Sequence, residues 1–286
     1  MTKEQLIMDN PWREAAEMLN PSDRECLYGD SNEYVLESDK PMIMEFNNDI
    51  KEHSDRIILQ TPPEPWRGNP LEANLIILSL NPGYDVNINK TVAKLLQDND
   101  AIREGVVKFR KDTLNLEAHS FLPEEGAKMP ISIKEAEDIL GGWYWTKRFK
   151  KLREKSGLDE SEFYKRVAVL QFFGYSSTTC EKGFPRYNNH VELPSQNFNR
   201  QLIEYIIENK SDKVRFLILR AKQKWDEFLK KEDYNLYNQC PDMFLKKTNK
   251  GRSQSITREN LMEIDENGQM KNDVYEEVLK TIKGEL

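Results

Sequence analysis

The sequence predicts an α/β fold: a three-layer α/β/α sandwich around a central, mostly parallel, four-stranded sheet. Segments 75–80, 167–173 and 214–219 are almost continuous apolar runs, as expected of strands covered on both faces. Segments with helical spacing of apolar residues separate them, and this alternation is typical of layered α/β domains. A length of 286 residues suits one large domain with a proper core. A weaker fourth strand is predicted at 243–245.

The first part of the chain is predicted to be a helical extension. Residues 1–70 pack, in this interpretation, on a core domain formed by residues 71–286. Asn10 followed by Pro11 gives a cap and a first-turn proline, which open a helix that reaches Leu19.

The connecting segments are predicted from shorter signals. Residues 56–60 are a candidate additional strand, and the prolines of 62–65 favour an extended connector. Residues 98–160 form a long helical insertion between the first two core strands. Ser132 and Glu135 have the spacing of a capping box. Apolar spacing predicts helices in segments 91–97, 133–140, 198–206, 221–229 and 273–282.

Composition excludes several classes of protein. The net charge is −7 and the pI is about 5.3, so no protein-wide basic field attracts nucleic acid, and any such binding must use local patches. The cysteines and histidines are scattered without ligand spacing, which argues against disulfide scaffolds, metal sites and iron–sulfur clusters. We therefore expect no cofactor and no metal. These residues are Cys26, Cys180, Cys240, His53, His119 and His190.

The amino-terminal segment lacks the apolar core of a signal peptide. No apolar run is long enough to cross a membrane. We therefore expect a cytoplasmic protein that does not bind membranes.

The first buried strand, 75–80, leads directly into the turn Asn81-Pro82-Gly83-Tyr84. Ligands of open α/β sheets bind beyond the carboxyl ends of strands, so the Asn81 amide is a candidate site group. Gly83 would allow close approach of a ligand to the backbone, and Tyr84 offers a ring for stacking. The alternative is an ordinary strand–turn–helix junction, because Asn, Pro and Gly are common in turns.

Segment 75–83, LIILSLNPG, resembles the first motif of the uracil-DNA glycosylase superfamily, in particular the branch of mismatch-specific uracil and thymine glycosylases. Segment 216–225 is similar to the third strand and following helix of that superfamily. Segment 250–256 falls where its second motif, a DNA-inserting loop, is expected. The resemblance covers roughly residues 70–285 and rests mainly on the order of the elements.

The sequence departs from that family at two places. The second motif usually begins with a histidine, but none follows His190, and Asn249 occupies approximately that position. The second strand of the family often ends in an asparagine that binds the uracil edge, whereas here it ends in Gln171, followed by Phe172 and Phe173. We therefore expect a base specificity different from that for uracil.

The resemblance implies roles for individual residues. Asn81 would position water through its amide oxygen, and Asp85 would act as a general base or an electrostatic partner. The alternative for Asp85 is that it caps the following helix. Tyr84 or Phe172 would stack on the flipped base, or Phe172 belongs to the core. Implied base-binding residues are Gly83, Tyr84, Gln171, Phe172 and Asn249.

Two basic segments are candidate nucleic-acid contacts. The first, 246–255, suits phosphate binding beside the expected second motif, although it is also consistent with a solvated loop. The second, 143–153, interleaves aromatic and cationic residues, as in single-strand-binding surfaces. For it we favour an amphipathic helix that buries Trp145, Phe149 and Leu152. The first segment contains Lys246, Lys247, Lys250, Arg252, Ser253 and Ser255.

The leading hypothesis is a glycosylase-like protein that binds single-stranded or damaged duplex DNA and excises a base. Two alternatives stay open: a catalytically inactive nucleic-acid-binding module of the same fold, and an enzyme that acts on a small molecule.

Overall fold

The computed structural model describes residues 1–24, 32–51, 56–119, 121–122, 143–178, 192–230, 235–246, 256–264 and 270–286. Its centre is a mixed, mostly parallel sheet in the order β2-β4-β3-β6-β7. The α/β class is confirmed, but the sheet has five strands rather than the predicted four. The strands are β2 (Trp66–Arg67), β3 (Leu75–Ser79), β4 (Val167–Gln171), β6 (Arg215–Ile218) and β7 (Phe244–Lys246).

The additional strand, β2, lies at the sheet edge and runs antiparallel to β4. Trp66 pairs with Leu170, and Arg67 pairs with Val169. A two-residue strand is too short to show alternation in a sequence, which is why it escaped prediction. Strand β2 lies within the predicted amino-terminal extension, so this part of the chain contributes to the central sheet.

Two small sheets complete the strand pairing. Strand β1 (Ile57–Ile58), within the predicted strand 56–60, pairs antiparallel with β5 (Ser176–Ser177). Strands β8 (Met262–Ile264) and β9 (Met270–Asp273) form an antiparallel pair that the sequence analysis missed.

Side chains alternate between the two faces of the sheet, and a separate apolar cluster covers each face. Ile76 and Leu78 belong to one cluster, together with helical residues such as Trp225. Leu75 and Ile77 belong to the other cluster, together with helical residues such as Phe149. Helices therefore cover both faces, which explains why the strands are apolar throughout.

The helices follow the predicted apolar spacing closely where they are described. The capping box at Ser132 and Glu135, with the predicted helix 133–140, lies outside the described residues. The helices are α1 (Lys3–Met8), α2 (Trp12–Met18), α3 (Lys40–Asp49), α4 (Val86–Asp98), α5 (Asp100–Leu114), α6 (Trp143–Ser156), α7 (Glu160–Lys165), α8 (Pro194–Lys210), α9 (Lys222–Leu229), α10 (Leu236–Gln239), α11 (Arg258–Leu261) and α12 (Val274–Lys283).

Among the described residues, no helix has the length and apolarity that crossing a bilayer requires. Within the same ranges, no three His, Cys, Asp or Glu side chains are grouped closely enough to hold a metal ion.

Candidate functional site

The turn that contains Asn81 lies at the carboxyl edge of the sheet. The chain runs from β3 to β4 on one side and then to β6 on the other side of β3, so the strand order reverses beside β3. In open α/β sheets, ligands bind outside the carboxyl ends of strands at such a reversal. The structure therefore puts the Asn81 turn where this architecture favours a site.

Asn81 is buried, and two hydrogen bonds hold its amide nitrogen. Its Nδ2 donates to Ser177 Oγ at 2.9 Å and to the carbonyl oxygen of Pro82 at 3.0 Å. The backbone of Ser177 in turn accepts from Tyr84 N at 3.2 Å. These bonds fix the plane of the amide, and with it the direction of the Oδ1 atom.

Gly83 is exposed, and neither its backbone angles nor its surroundings require a glycine. It has no positive φ, and a Cβ atom built on it meets no described atom within 4 Å. Tyr84 is half-buried beside it. The open space at Gly83 is compatible with the predicted close approach of a ligand to the backbone.

Asp85 is exposed, and it accepts a hydrogen bond from the backbone of Asn87 at 2.9 Å. Its carbonyl oxygen also accepts from Asn89 N at 2.9 Å. Asp85 therefore performs the capping role that was the alternative to a catalytic one, at the start of α4.

Gln171 ends β4 and lies beside Ser79, its register partner in β3. The residue is 1% exposed, and its Oε1 atom has no hydrogen-bond partner among the described residues. A buried acceptor without a partner costs free energy, so it calls for an explanation such as a bound ligand or water.

Phe172 lies in the core, which was the alternative to its predicted stacking role. Its ring contacts those of Phe173, Trp225 and Phe228 at centroid distances of 4.9, 5.0 and 5.4 Å, all in edge-to-face geometry. Trp225 is anchored at the same place, because its Nε1 donates to the carbonyl oxygen of Ser79 at 2.8 Å. The Phe172 ring thus packs against the strand ends that carry the site, on the face of the sheet that α9 covers.

Arg220 and Ala221 form a part of the site that the sequence analysis did not select. They follow β6, the strand on the other side of the reversal, and Arg220 N donates to the carbonyl oxygen of Leu78 at 3.3 Å. Ala221 has φ 55° and ψ 36°, a left-handed conformation that is unfavourable for a residue with a Cβ atom. Backbone strain of this kind concentrates at functional sites. No local pattern in the sequence signals it.

Most of the predicted second motif lies outside the described residues. Lys247, Asn249, Lys250, Arg252, Ser253 and Ser255 are among these positions. Lys246 ends β7, which is parallel to β6. The chain therefore leaves β7 at the same edge of the sheet as Asn81.

Buried charged groups flank the site and are fully paired. Glu64 binds Arg67 Nε at 2.9 Å and Arg110 Nη1 at 2.5 Å. Burial opposes ionisation of Glu64, but the two guanidinium groups outweigh it and lower the pKa of the carboxyl group.

Asp39 connects three segments of the chain beside the carboxyl edge of the sheet. It accepts from Tyr175 Oη at 2.8 Å and from Ser195 N at 3.0 Å. Burial raises the pKa of Asp39, although these hydrogen bonds oppose the shift. Burial, followed by the neighbouring carboxylate, raises the pKa of Tyr175 well above its usual value. The tyrosine therefore stays protonated as a donor.

A cavity of about 750 Å³ opens at the opposite, amino edge of the sheet. Its lining includes Glu72 and His119, whose Nδ1 lies 3.0 Å from Glu72 Oε2. This cavity is lined by residues that precede β3 and β4, so it is separate from the Asn81 turn.

Comparisons of this chain with protein-family models, with curated proteins and with solved structures gave no match. The assignment of function therefore rests on the site alone.

Proposed function

We propose that this protein binds an extruded nucleobase in DNA at the carboxyl edge of the sheet and hydrolyses its N-glycosidic bond. The observation that carries the proposal is the buried Gln171 Oε1 atom, which lacks a partner among the described residues at the end of β4. Ser79 lies beside Gln171 in register, and the Asn81 amide and Ser177 hydroxyl, which are bonded to each other, lie beyond the end of β3. Such uncharged hydrogen-bonding groups suit a neutral, planar ligand with several donors and acceptors.

The chemistry follows from what the Asn81 amide can do. Breaking the glycosidic bond generates a sugar cation like the one formed in glycoside hydrolysis, and a water molecule must attack it. The held amide of Asn81 would orient that water through Oδ1 but cannot remove its proton at neutral pH. The base leaves with the electron pair of the broken bond, and it takes up the proton that the water loses. We therefore expect slow hydrolysis that requires a good leaving base.

The base must leave the helical stack to reach this site. The open space at Gly83 supports close approach of the extruded nucleotide to the backbone. Gln171 would then bind the edge of the base.

The experiment is a base-release assay on oligonucleotides that contain uracil, hypoxanthine, mismatched or alkylated bases, with alkaline cleavage of abasic products. Wild type is compared with Asn81→Ala and with Asn74→Ala, a matched change at the amino edge, where Asn74 Nδ2 binds the carbonyl oxygen of Thr281. We expect release by wild type and Asn74→Ala, and loss in Asn81→Ala. Equal background release by all three proteins from every substrate would refute excision.

A catalytically inactive DNA-binding protein is the second candidate. The capping role of Asp85 favours it, since this carboxylate is engaged in holding α4. Tight binding of an oligonucleotide that contains a modified base, without release of the base, would identify this candidate.

A further inference from the structure

The outer surface of α6 is strongly cationic within an acidic protein. Six of its fourteen residues are Lys or Arg, against the single acid Glu154, while the whole chain carries a net charge of −7. The helix is amphipathic as predicted, with Trp145, Phe149 and Leu152 buried in the core.

Lys147, Lys150 and Lys151 are exposed and lie opposite the buried face of α6, and we call them the α6 lysines. Glu154 and Lys155 are also exposed, in the last turn of the helix. None of the α6 lysines lies within ion-pair distance of an acid in the described part of the chain. Glu259 is nevertheless near enough to Lys151 for a longer-range electrostatic attraction. The spacing of the α6 lysines, three and four residues, brings like charges together on one helix face, which disfavours the helix.

The α6 helix covers the face of the sheet from which the candidate site group Gln171 projects. Its apolar residues share a cluster with Val169 of β4, and strand alternation puts Gln171 on the same face as Val169. Contacts between aromatic rings link α6 to the segment before β4: Phe163 meets Phe149 at 5.9 Å, and Phe149 meets Trp145 at 5.7 Å.

Arg148 provides an independent observation near the amino end of α6. Its Cζ atom lies 4.0 Å from the centroid of the Tyr144 ring. Its Nε atom is buried without a hydrogen-bond partner among the described residues. The ring contact fixes the orientation of the half-buried Arg148 side chain, whose terminal nitrogens, rather than the buried Nε, would bind a phosphate group.

We propose that the α6 lysines and Arg148 bind the backbone phosphates of the DNA strand whose base enters the site at the carboxyl edge. This inference rests on the proposed function for the identity of the partner. It assigns the phosphate contacts to the helical insertion, at residues separate from the predicted loop 246–255. The positive charge of α6, and its position on the same face of the sheet as Gln171, select a strand of DNA as the occupant.

The test measures binding of a fluorescently labelled single-stranded DNA by anisotropy over a range of salt concentrations. The variant carries Lys147→Gln, Lys150→Gln and Lys151→Gln, which retain helix-forming side chains. The matched control carries Lys3→Gln, Lys213→Gln and Lys280→Gln, three exposed lysines outside α6, and changes the net charge equally. Thermal unfolding of both variants checks that the fold is intact.

We expect the α6 variant to bind about tenfold or more weakly at about 50 mM salt. We expect the slope of log K against log salt to fall by about 2, since each phosphate contact with a single strand contributes about 0.7. The control variant should bind like wild type. Equal weakening in both variants, no DNA binding by wild type, or tighter binding of RNA of the same sequence would overturn the proposal.

The same proteins are run in the base-release assay. DNA binding that depends on the α6 lysines, without release of any base, refutes excision and supports the phosphate contacts proposed for α6. Base release that is unaffected by the α6 changes refutes these phosphate contacts and supports excision.

Discussion

Two buried glutamines near the carboxyl end of β4 are used by the fold in different ways. Gln196, in α8, has both ends of its amide bonded: Nε2 donates to Phe172 O at 3.0 Å, and Oε1 accepts from Leu193 N at 2.7 Å. Gln171 is equally buried, but its Oε1 has no partner among the described residues. A fully bonded buried amide stabilises the fold, whereas an unbonded acceptor costs stability unless a ligand binds it. The comparison separates polar groups that build the protein from those available to a ligand.

Two glycines show the same contrast. A Cβ atom on Gly174 would lie 2.4 Å from Cη2 of Trp12, so the core closes over this residue. A Cβ atom on Gly83 would meet no described atom within 4 Å. One glycine is required by packing, and the other leaves space at the candidate site.

The largest effect is expected at the fully bonded ion cluster. Glu64→Gln should reduce the free energy of unfolding by about 3–5 kcal/mol at neutral pH, because it leaves the buried guanidinium group of Arg67 and the half-buried one of Arg110 without their carboxylate. Since the pKa of Glu64 is lowered in the folded protein, its contribution is complete above the ordinary value of 4.5. It is lost as the pH falls through the folded-state pKa. Urea unfolding at neutral and acidic pH measures the free energy of unfolding of wild type and of Glu64→Gln. The difference between the two proteins should become smaller in acid.

The control is Glu162→Gln, which removes a more exposed pair with Arg166. Exposed pairs contribute about 0–1 kcal/mol. If Glu64→Gln reduces the free energy of unfolding by no more than Glu162→Gln does, the buried cluster does not stabilise the fold.

The glycine pair gives the next effect. Gly174→Ala should lower the free energy of unfolding by about 1–3 kcal/mol, because the methyl group overpacks the core against Trp12. Gly83→Ala should change it by less than about 0.5 kcal/mol, as at other open surface positions. Gly83→Ala should nevertheless reduce base release if the backbone there approaches the substrate. Denaturation and the release assay measure the two effects.

The glutamine pair tests the comparison directly. Gln196→Met should reduce the free energy of unfolding by about 1–3 kcal/mol, because it leaves Phe172 O and Leu193 N without their partner. Gln171→Met should leave stability unchanged or raise it, since the methionine has no unbonded acceptor, and should abolish base binding. Equal destabilisation by the two changes, measured by denaturation, would remove the distinction between them.

The smallest effect concerns the strained residue of the site. Ala221→Gly should raise the free energy of unfolding by up to about 1 kcal/mol, because glycine adopts the left-handed conformation without steric cost. Ala93→Gly, in the interior of α4, should lower it by about 0.5–1 kcal/mol. Thermal unfolding of both variants checks the opposite signs. A loss of stability in both would indicate that Ala221 is not strained.

Much of the fold could be predicted from local patterns. The continuous apolar runs gave β3, β4 and β6 because strands covered on both faces are apolar at every position. The spacing of Trp145, Phe149 and Leu152 gave the buried face of α6 because this spacing matches the helical repeat. The position of Asn81 beyond a strand was predicted because the apolar run 75–80 ends directly before it.

The composition of the candidate site could be predicted only in part. Phe172 and Gln171 are adjacent in sequence, yet one packs in the core and the other ends a strand beside Ser79. Arg220 and Ala221 join the site because β6 lies next to β3, a pairing that no local pattern shows. Strand β2 was missed because two residues carry no measurable alternation.

By itself, the sequence determined the strands β3, β4 and β6, the longer amphipathic helices and the turn that carries the Asn81 amide, because periodicity and turn chemistry belong to contiguous residues. Only the tertiary structure decided which buried polar groups are bonded and which are not. Asp39 meets Tyr175 and Ser195 across large separations in the chain, and Ser177 holds the Asn81 amide in the same way. Hydrogen bonding is directional and short-ranged, so a group gains its partner, or remains without one, only when distant segments have packed together.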